Sequence, residues 1–478
     1  MKNFRILSLF LMISLLAGLT GCKKVEEIHN KNWVYYTEYE DYEVQIEKEI
    51  EVSSDSKSDT NEEITSELDS NIKGRIFYVS SSEGNDWNDG LSPEEPIKSL
   101  AIACSTARKS GDTILLKSGD VWRGENMDVA GGVTVSSYGN GNKPLLIGSP
   151  RNYSDDGLWT LTDKPNIWVC TEEIDSDIGT IVFDEGKATA IKKMKSVDEL
   201  ENDLDFYHDW KECKVYLYSE TDPSSRYKSI EFNWYITLVN IKSGTTIENL
   251  EMRYADYGLV GSSLKDVVVR NCDFYYLGGC RHSNTDETRF GNAIEFWGSC
   301  NNALVESNFI SQMYDTGFTV QYAAERTSDI IVKDVTVKNN TIEYCHWSME
   351  YYITGSDSSG YKGYITNLNI VGNTFAHSGE GWSAAQRSTS NSCHFETFAW
   401  DDFSKSNIKI TNNIFKGAAS DMFYISWKDY IPEFSGNTFI QYNDGSFANL
   451  GGKKYTFNEA NKNFIMDLDP TAKIEFLN

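Results

Sequence analysis

Residues 337–342 read VKNNTI, and this six-residue pattern recurs through the second half of the chain. The pattern is an apolar residue, two variable residues, an asparagine, a variable residue and a second apolar residue. Its copies are IENLEM (247–252), VRNCDF (269–274), VESNFI (305–310), VKNNTI (337–342), IVGNTF (370–375), ITNNIF (410–415) and FSGNTF (434–439). The fourth position is Asn in the last five copies and Leu250 and Cys272 in the first two. Successive copies begin 22, 36, 32, 33, 40 and 24 residues apart.

Such a period is typical of a solenoid in which each repeat is one turn of the chain. The shortest intervals match one coil of a parallel β-helix, and the longer ones match a coil that carries a loop. Asparagines stacked at a corner of the coil can hydrogen-bond to one another along the stack. An antiparallel β-sandwich does not explain an asparagine that recurs between strand-like apolar positions. The repeats therefore predict an all-β, right-handed parallel β-helix.

The region that precedes the repeats begins with GRIFYVSSSEGNDWNDGLSPEEPIKSL (74–100). This stretch resembles the start of bacterial right-handed parallel β-helix proteins of the pectate-lyase-like superfamily, in which a short helix covers the open end of the coil. Ile97, Leu100, Ala101 and Cys104 follow the helical period, so a capping helix is expected here. The resemblance implies a carbohydrate polymer as the ligand, held along the outer face of the coil.

Composition shifts divide the chain into five parts. Residues 1–21 have the pattern of a secretory signal, residues 22–74 form an acidic polar tether, and residues 75–150 contain the cap and the first coils. The repeat pattern stops between residues 151 and 235, where strand-like runs broken by turns predict a β-rich insertion. The main stack of coils is expected over residues 236–478.

The signal ends in Leu19-Thr20-Gly21-Cys22, which resembles the bacterial lipobox. This predicts a lipid on Cys22, a membrane anchor and a location at the cell surface. The net charge of −27 argues against nucleic acid as a partner. The neighbouring pairs Cys345–His346 and Cys393–His394 cannot chelate a metal from a strand, because adjacent residues point to opposite faces. We expect a monomer without a metal or other cofactor.

Aligning the coils on their repeats brings several carboxylates into one row. Glu295, Glu350 and Glu396 each lie between residues of an alternating strand whose apolar members would face the coil interior. Thr319 takes the same place in the coil between the first two glutamates, and Asp315 lies just before that strand. Glu350 is then expected one rung from Glu396 and two rungs from Glu295.

Those separations, about 5 Å and about 9.5 Å, fall in the ranges that retaining and inverting glycosidases use for their two carboxyl groups. The alternative is that the row is an ordinary solvated acidic face on an acidic protein. Aromatic, histidine and arginine side chains follow the row in sequence and are the expected substrate contacts, since flat rings suit the apolar faces of sugars. These candidates are Trp297, Trp347, Trp382, His282, Arg387 and His394.

The sequence thus favours a glycoside hydrolase acting on a polysaccharide, with Glu295 and Glu350 as acid/base or nucleophile and Glu396 or Asp315 as further candidates. A calcium-assisted lyase is an alternative, in which Glu295, Glu350 and Asp315 hold Ca²⁺ and an arginine is the base. A third alternative is a non-catalytic binding protein or adhesin, because fold alone does not decide among these functions.

The lipobox makes a direct prediction about Cys22. Changing Cys22→Ala removes the thiol that accepts the lipid, so the protein should leave the membrane fraction and appear in the soluble one. The check is fractionation of cells that express each form, followed by immunoblotting. A variant that stays in the membrane fraction would show that the lipobox interpretation is wrong.

Overall fold

The repeated asparagine marks a two-residue corner of the coil. The structure, a computed structural model, describes residues 74–282, 287–354, 360–387, 391–397, 404–426 and 431–477; the predicted signal, tether and Cys22 lie outside these ranges. The residue before each of the last five repeat asparagines adopts a left-handed conformation, with φ between 50° and 70°, which turns the chain sharply. These residues are Ser307, Asn339, Gly372, Asn412 and Gly436.

The asparagines themselves form a continuous, buried hydrogen-bonded ladder. Each Nδ2 donates to Oδ1 of the asparagine one coil further on, at 2.9–3.1 Å. The same Oδ1 atoms accept the backbone N–H of the preceding ladder residue, so each side chain also fixes a neighbouring coil. The ladder ends at Asp469, whose Oδ2 accepts from Asn437 Nδ2 at 2.8 Å. The predicted corner asparagines are confirmed.

Three faces surround a shared apolar core, and each is a stack of parallel strands. One full coil shows the order: a strand on face A (Thr316–Tyr322), one on face B (Ile330–Lys338), the corner at Asn340, and one on face C (Thr341–Glu343). The next coil begins on face A again with Trp347–Ile353, paired in parallel with the previous face A strand. This is the predicted right-handed parallel β-helix.

The N-terminal part contains the first coils and the cap. Its elements are β1 (Ile76–Val79), α1 (Leu100–Thr106), β2 (Thr113–Lys117), β3 (Val121–Arg123), β4 (Met127–Asp128), β5 (Thr134–Tyr138) and β6 (Leu145–Ile147). Helix α1 begins after Ser99, whose side chain accepts from the N–H of Ile102, and it buries Leu100, Ala103 and Cys104 against the core. The expected capping helix is therefore present, and it covers the apolar end of the first coil.

The predicted β-rich insertion forms a small sheet with its own core. Its elements are β7 (Trp159–Leu161), β8 (Ile167–Cys170), β9 (Ile178–Phe183), β10 (Ala188–Thr189), β11 (Ile191–Lys193), β12 (Asp205–Asp209), β13 (Lys214–Tyr218) and α2 (Pro223–Arg226). Five of these strands make one sheet in the order β11-β12-β13-β8-β7. A separate cluster that includes Phe206, Leu217 and Phe232 fills its interior.

The main stack follows the insertion. Its elements are β14 (Ile230–Ile241), β15 (Thr246–Glu248), β16 (Glu251–Arg253), β17 (Ala255–Arg270), β18 (Asp273–Leu277), β19 (Cys280–Arg281), β20 (Arg289–Phe290), β21 (Ile294–Glu306), β22 (Phe309–Met313), β23 (Thr316–Tyr322), β24 (Ile330–Lys338), β25 (Thr341–Glu343), β26 (Trp347–Ile353), β27 (Gly363–Val371), β28 (Thr374–Ser378), β29 (Cys393–Thr397), β30 (Ser404–Thr411), β31 (Ile414–Ala418), β32 (Asp421–Ile425), β33 (Glu433–Ser435), β34 (Thr438–Tyr442), β35 (Gly445–Leu450), β36 (Lys453–Phe457), α3 (Lys462–Leu468) and β37 (Lys473–Leu477).

Strand β14 joins the insertion to the stack and crosses the predicted boundary at residue 235. Its first residues pair antiparallel with β9, whereas Val239 and Asn240 pair in parallel with β4 and β17. The boundary is blurred because one strand belongs to both sheets. At the other end, β36 runs antiparallel to β35. None of the helices in the described ranges has the length and apolar character needed to span a bilayer.

The ladder predicts a specific cost for Asn340→Ala. The change removes the donor to Asn373 and the acceptor for Asn308, and both partners are 1–2% exposed. Leaving them unmatched should lower the free energy of unfolding by about 1–3 kcal/mol. The control is Asn301→Ala, at an exposed position of β21, which should change it by less than about 0.5 kcal/mol. Denaturant unfolding of the two variants gives the comparison, and equal effects would contradict a structural role for the ladder.

Candidate functional site

The predicted row of carboxylates lies on face A. Glu295 of β21 is in register with Thr319 of β23, Thr319 with Glu350 of β26, and Glu350 with Glu396 of β29. Their neighbours point into the core, as shown by the complete burial of Met349 and others around the row. The predicted spacing of one rung and two rungs is confirmed, so Glu295 and Glu350 lie about 9.5 Å apart along the stack.

The row is buried, which contradicts the alternative of an ordinary solvated acidic face. Glu295, Glu350 and Glu396 are 7%, 3% and 0% exposed. Two segments distant in sequence meet near it, because Gln386 accepts from the backbone N–H of Lys192 at 3.1 Å and donates to the carbonyl of Ala190 at 2.9 Å. The insertion and the segment after β28 thus join across the coil. A solvated acidic face does not describe these carboxylates.

Asp315 and Arg387 form an ion pair within this covered region. Nη1 of Arg387 lies 2.8 Å from Oδ1 of Asp315, and both side chains are largely buried. The guanidinium also lies over the ring of Trp347, 4.4 Å from its centroid, and the Trp347 Nε1–H donates to the carbonyl of Asn391 at 3.0 Å. Trp347 therefore positions the cation, and this is a scaffolding contact rather than the open sugar platform expected from the sequence.

The electrostatic environment of Glu350 favours its protonated form. Burial raises the pKa of Glu350 well above its ordinary range, and the nearby charge of Asp315 raises it further. Burial also raises the pKa of Asp315, but its guanidinium partner, Arg387, opposes that rise. Of the two acids, Asp315 is the one with a cation in contact, so it is better suited to carry the negative charge.

Glu295 has a different environment one rung further from the pair. Asn292 Nδ2 donates to its Oε2 at 2.7 Å, and Asn292 is itself oriented by accepting the N–H of Thr316 at 2.9 Å. Burial raises the pKa of Glu295 to about 7, with a smaller contribution from the charge of Asp315. Glu295 can therefore hold or release a proton near neutral pH.

Asp256 and Tyr257 also lie beside the carboxylate row, and neither was among the residues predicted from the sequence. The predicted residue His282 lies with them, its Nε2 3.2 Å from Oδ2 of Asp256 and 3.5 Å from the hydroxyl of Tyr257. Burial lowers the pKa of His282, but its hydrogen bond and attraction to Asp256 outweigh that effect and raise it. The charge of Glu295 acts on both His282 and Tyr257, which places them beside the row.

A repeated tetrapeptide could have identified Asp256. The chain reads Asp-Tyr-Gly-Leu at 256–259 and Asp-Thr-Gly-Phe at 315–318, and in the coil these aspartates occupy equivalent positions two rungs apart. The glycine in each leaves room for the coil interior, since a Cβ at Gly258 would lie 2.7 Å from the Phe274 ring and one at Gly317 2.5 Å from Ile342. A search for D-x-G between coils would have found the column.

A buried ion cluster anchors the insertion next to His282. Asp177, from the loop before β9, contacts Lys192 Nζ at 2.5 Å and His208 Nδ1 at 3.3 Å, and it accepts the backbone N–H of Arg281 at 2.5 Å. Burial alone would raise the pKa of Asp177, but the charge of Lys192, the hydrogen bond with His208 and the charge of Arg281 lower it below its ordinary range. Burial lowers the pKa of Lys192 to about 8. The cluster fixes the peptide that leads into His282.

The remaining predicted residues have varied positions. Trp297 is half-buried two residues beyond Glu295, with its ring 5.6 Å from that of Tyr322. In the same outward row are Gln321 and Tyr352, joined by a hydrogen bond from the tyrosine hydroxyl. This aromatic and amide row beside the acids offers contacts for a sugar.

Trp382 lies in a 3₁₀ turn, Trp382–Ala385, rather than in the open groove. Its Nε1–H donates to the carbonyl of Gln312 at 2.8 Å, so it anchors the segment that carries Arg387. Glu396 accepts from Asn391 Nδ2 at 3.0 Å, which ties it to that same covering segment. Neither residue has the exposure expected of a direct substrate contact.

The expectation that His394 lines the groove is wrong. The ring is fully buried, 5.9 Å from Phe415 and 6.5 Å from Phe375, both of which lie in the coil interior. At the start of β29 the strand departs from strict alternation, so His394 and Phe395 both point inward. Burial lowers the pKa of His394 to about 3, so the ring is neutral.

The residues that the structure describes do not include a set of side chains arranged to bind a metal ion. There, no three His, Cys, Asp or Glu side chains are grouped closely enough to hold a metal ion. The carboxylates Glu295, Asp315 and Glu350 do not form the compact oxygen cage that calcium requires. The calcium-assisted alternative therefore lacks a fitting site in this part of the chain.

The raised pKa of Glu295 predicts how its replacement changes stability. Below pH 4.5 the carboxyl group is protonated in both the folded and the unfolded chain, so it does not change the free energy of unfolding. Between pH 4.5 and about pH 7 only the unfolded chain ionises freely, so the free energy of unfolding of the wild type falls over this range. Glu295→Gln should therefore become more stable than the wild type by up to about 3 kcal/mol at pH 8, with little difference at pH 4.5. Unfolding curves at both pH values test this, and a pH-independent difference would contradict it.

Comparisons with known proteins give likenesses of fold. No protein-family model and no curated protein matches the chain. Among solved structures it resembles XylC in complex with xylose (13% identity, TM-score 0.47, covering 80% of this chain and 73% of that one). It also resembles a glycoside hydrolase (11% identity, TM-score 0.47, covering 84% of this chain and 96% of that one). A third similar structure is the GH136 lacto-N-biosidase of Eubacterium ramulus (15% identity, TM-score 0.41, covering 87% of this chain and 70% of that one). The chain is similar to these proteins in its β-helix fold.

Proposed function

We propose that this protein is a glycoside hydrolase that cleaves a polysaccharide bound along face A. The observation that carries the proposal is the pair of buried carboxyl groups two rungs apart, Glu295 and Glu350, with Asp315 on the rung between them. Hydrolysis of a glycosidic bond needs one protonated and one ionised carboxyl group flanking the bond. Environments that push neighbouring acids toward different protonation states support such a division of roles.

Glu295 is the proposed general acid. A pKa of about 7 lets it keep a proton at neutral pH and still release it to the leaving oxygen. Asn292 holds the carboxyl group in one orientation. Proton donation by Glu295 requires its protonated form, so activity should decline as the pH rises above about 7.

Asp315 and Glu350 form the proposed base side. Arg387 contacts Asp315 and favours its ionised form, while Glu350 beside it keeps a proton. The ionised member would draw a proton from the attacking water on the opposite side of the sugar ring.

The substrate would lie along the outward row next to the acids. Trp297 and Tyr352 provide partly exposed rings, and Gln321 provides an amide between them. Rings of this kind stack on the apolar faces of sugars, and the amide can bond hydroxyl groups. We further propose that the lipid on Cys22 holds the enzyme at the cell surface, where polymers too large to enter a cell are accessible.

Glu295→Gln tests the proposal directly, because Glu295 is the proposed proton donor. The substitution keeps the shape and removes the ionisable group, so release of reducing ends from the polysaccharide should fall by several orders of magnitude while binding is retained. The substrate is first found by screening the wild-type protein against plant and host polysaccharides. The matched control is Glu306→Gln, on face B of the same coil as Glu295, where the side chain pairs with Lys338; its activity should remain near the wild-type level.

The same screen separates the hydrolase from the other functions. Products that absorb ultraviolet light, as unsaturated uronates do, would mean a lyase, and loss of activity with a chelator would mean a metal-dependent one. Binding without any new reducing end would mean a non-catalytic binding protein. Full activity in Glu295→Gln would show that Glu295 is not the general acid.

A further inference from the structure

A second groove lies on face C, away from the carboxylate row on face A. Its cavity has a volume of about 380 Å³ and is formed between the coil and the edge of the insertion. This size is within the range of small-ligand pockets. The residues that carry the argument are Glu185, Arg253, Tyr275, Phe309, Ser311 and Glu343.

The floor of the groove is a row of four outward side chains on adjacent rungs. Arg253 is in register with Tyr275, Tyr275 with Ser311, and Ser311 with Glu343. The row spans three rungs, about 14 Å, which is the length of a short oligosaccharide rather than of one sugar. It presents a guanidinium, an aromatic ring, a hydroxyl and a carboxylate in order.

Aromatic rings give the floor its flat surface. The ring of Tyr275 lies 5.5 Å from that of Phe309, with the guanidinium of Arg253 at 4.9 Å on Tyr275. Both rings remain partly exposed on the outside of the sheet, where they form one continuous apolar surface. Tyr344 stacks on His377 at 4.9 Å, which fixes one side of the groove.

The insertion supplies the opposite wall. Glu185 and Gly186 lie in a short 3₁₀ turn after β9, and the hydroxyl of Tyr276 donates to the carbonyl of Gly186 at 3.4 Å. Glu343 accepts from Ser311 Oγ at 3.3 Å, and burial raises its pKa. Arg253 pairs with Glu251, so its charge is offset within the coil, whereas Glu185 and Glu343 line the groove as acidic side chains.

We propose that this groove binds a neutral oligosaccharide, separately from the catalytic row. Rings that stack on sugars and carboxylates that accept from hydroxyl groups suit a neutral chain, whereas a uronate polymer would be repelled by Glu185 and Glu343. The column that carries Tyr275 continues along face C with Ala376 and Lys416, so it has no aromatic ring on those two rungs.

The experiment is a glycan-array measurement with the full chain. The probes are printed fragments of β-glucan, xylan, mannan, galactan and N-acetyllactosamine, together with oligogalacturonates as the acidic set. All proteins carry Glu295→Gln, so that no probe is cleaved, and Trp297→Ala, so that binding along face A is weakened. Adding Tyr275→Ala should weaken the retention of neutral probes roughly tenfold, because one stacking ring is lost. Adding Glu343→Gln, which keeps the shape, should also weaken retention.

The control is Tyr364→Ala, an exposed tyrosine on face B, which should leave retention unchanged. The proposal would be overturned if the Tyr275→Ala and Glu343→Gln proteins retained the probes as strongly as their parent. It would also be overturned if Tyr364→Ala weakened retention as much as they do, or if only oligogalacturonates were bound. The thermal midpoint of each variant shows that it is folded. Release of reducing ends by the wild-type protein tests the hydrolase separately, since the groove residues lie on another face.

Discussion

The register of this protein depends on the requirement that a buried amide has all of its hydrogen bonds. Each ladder asparagine needs the next coil to supply an acceptor for Nδ2, and it supplies an acceptor for the backbone of the coil before. A slip of one residue between coils would break two such bonds and would turn the outward side chains inward. The ladder on one corner therefore sets the alignment of strands on the other faces. The carboxylate row on face A is a consequence of this alignment.

That row uses some of the stability which the ladder and the core provide. Placing Glu295, Asp315 and Glu350 together out of water is unfavourable unless cations or protons neutralise them. Arg387 and the raised pKa values of the glutamates provide this neutralisation. The insertion contributes to the same end, because its contacts with Gln386 close the region against solvent. Such a cost to folding is expected of the acid–base centre that we propose.

The sequence predicted the features that arise from short-range periodicity. The coil, the corner at Asn340 and the two-rung spacing of Glu295 and Glu350 follow from alternation and from a repeat that can be counted. Burial of the row could not be predicted, because it depends on Gln386 meeting a strand almost 200 residues earlier in the chain. The inward position of His394 was not predicted because strict alternation fails at the start of its strand. Asp256 was not predicted because it lies outside the asparagine repeat.

The ladder has a direction, and its last member differs in chemistry from the others. Asparagine both donates and accepts, so any number of coils can follow one another, whereas Asp469 only accepts and ends the series. An acceptor without a donor thus acts as a stop signal for the length of the stack. During evolution a whole coil could be inserted or deleted between two ladder asparagines, because the asparagines on either side would still form the same hydrogen bonds with their new neighbours. Moving the aspartate into the interior would instead leave the following coil without its partner, so the length of the ladder is set by where a single amide is replaced by an acid.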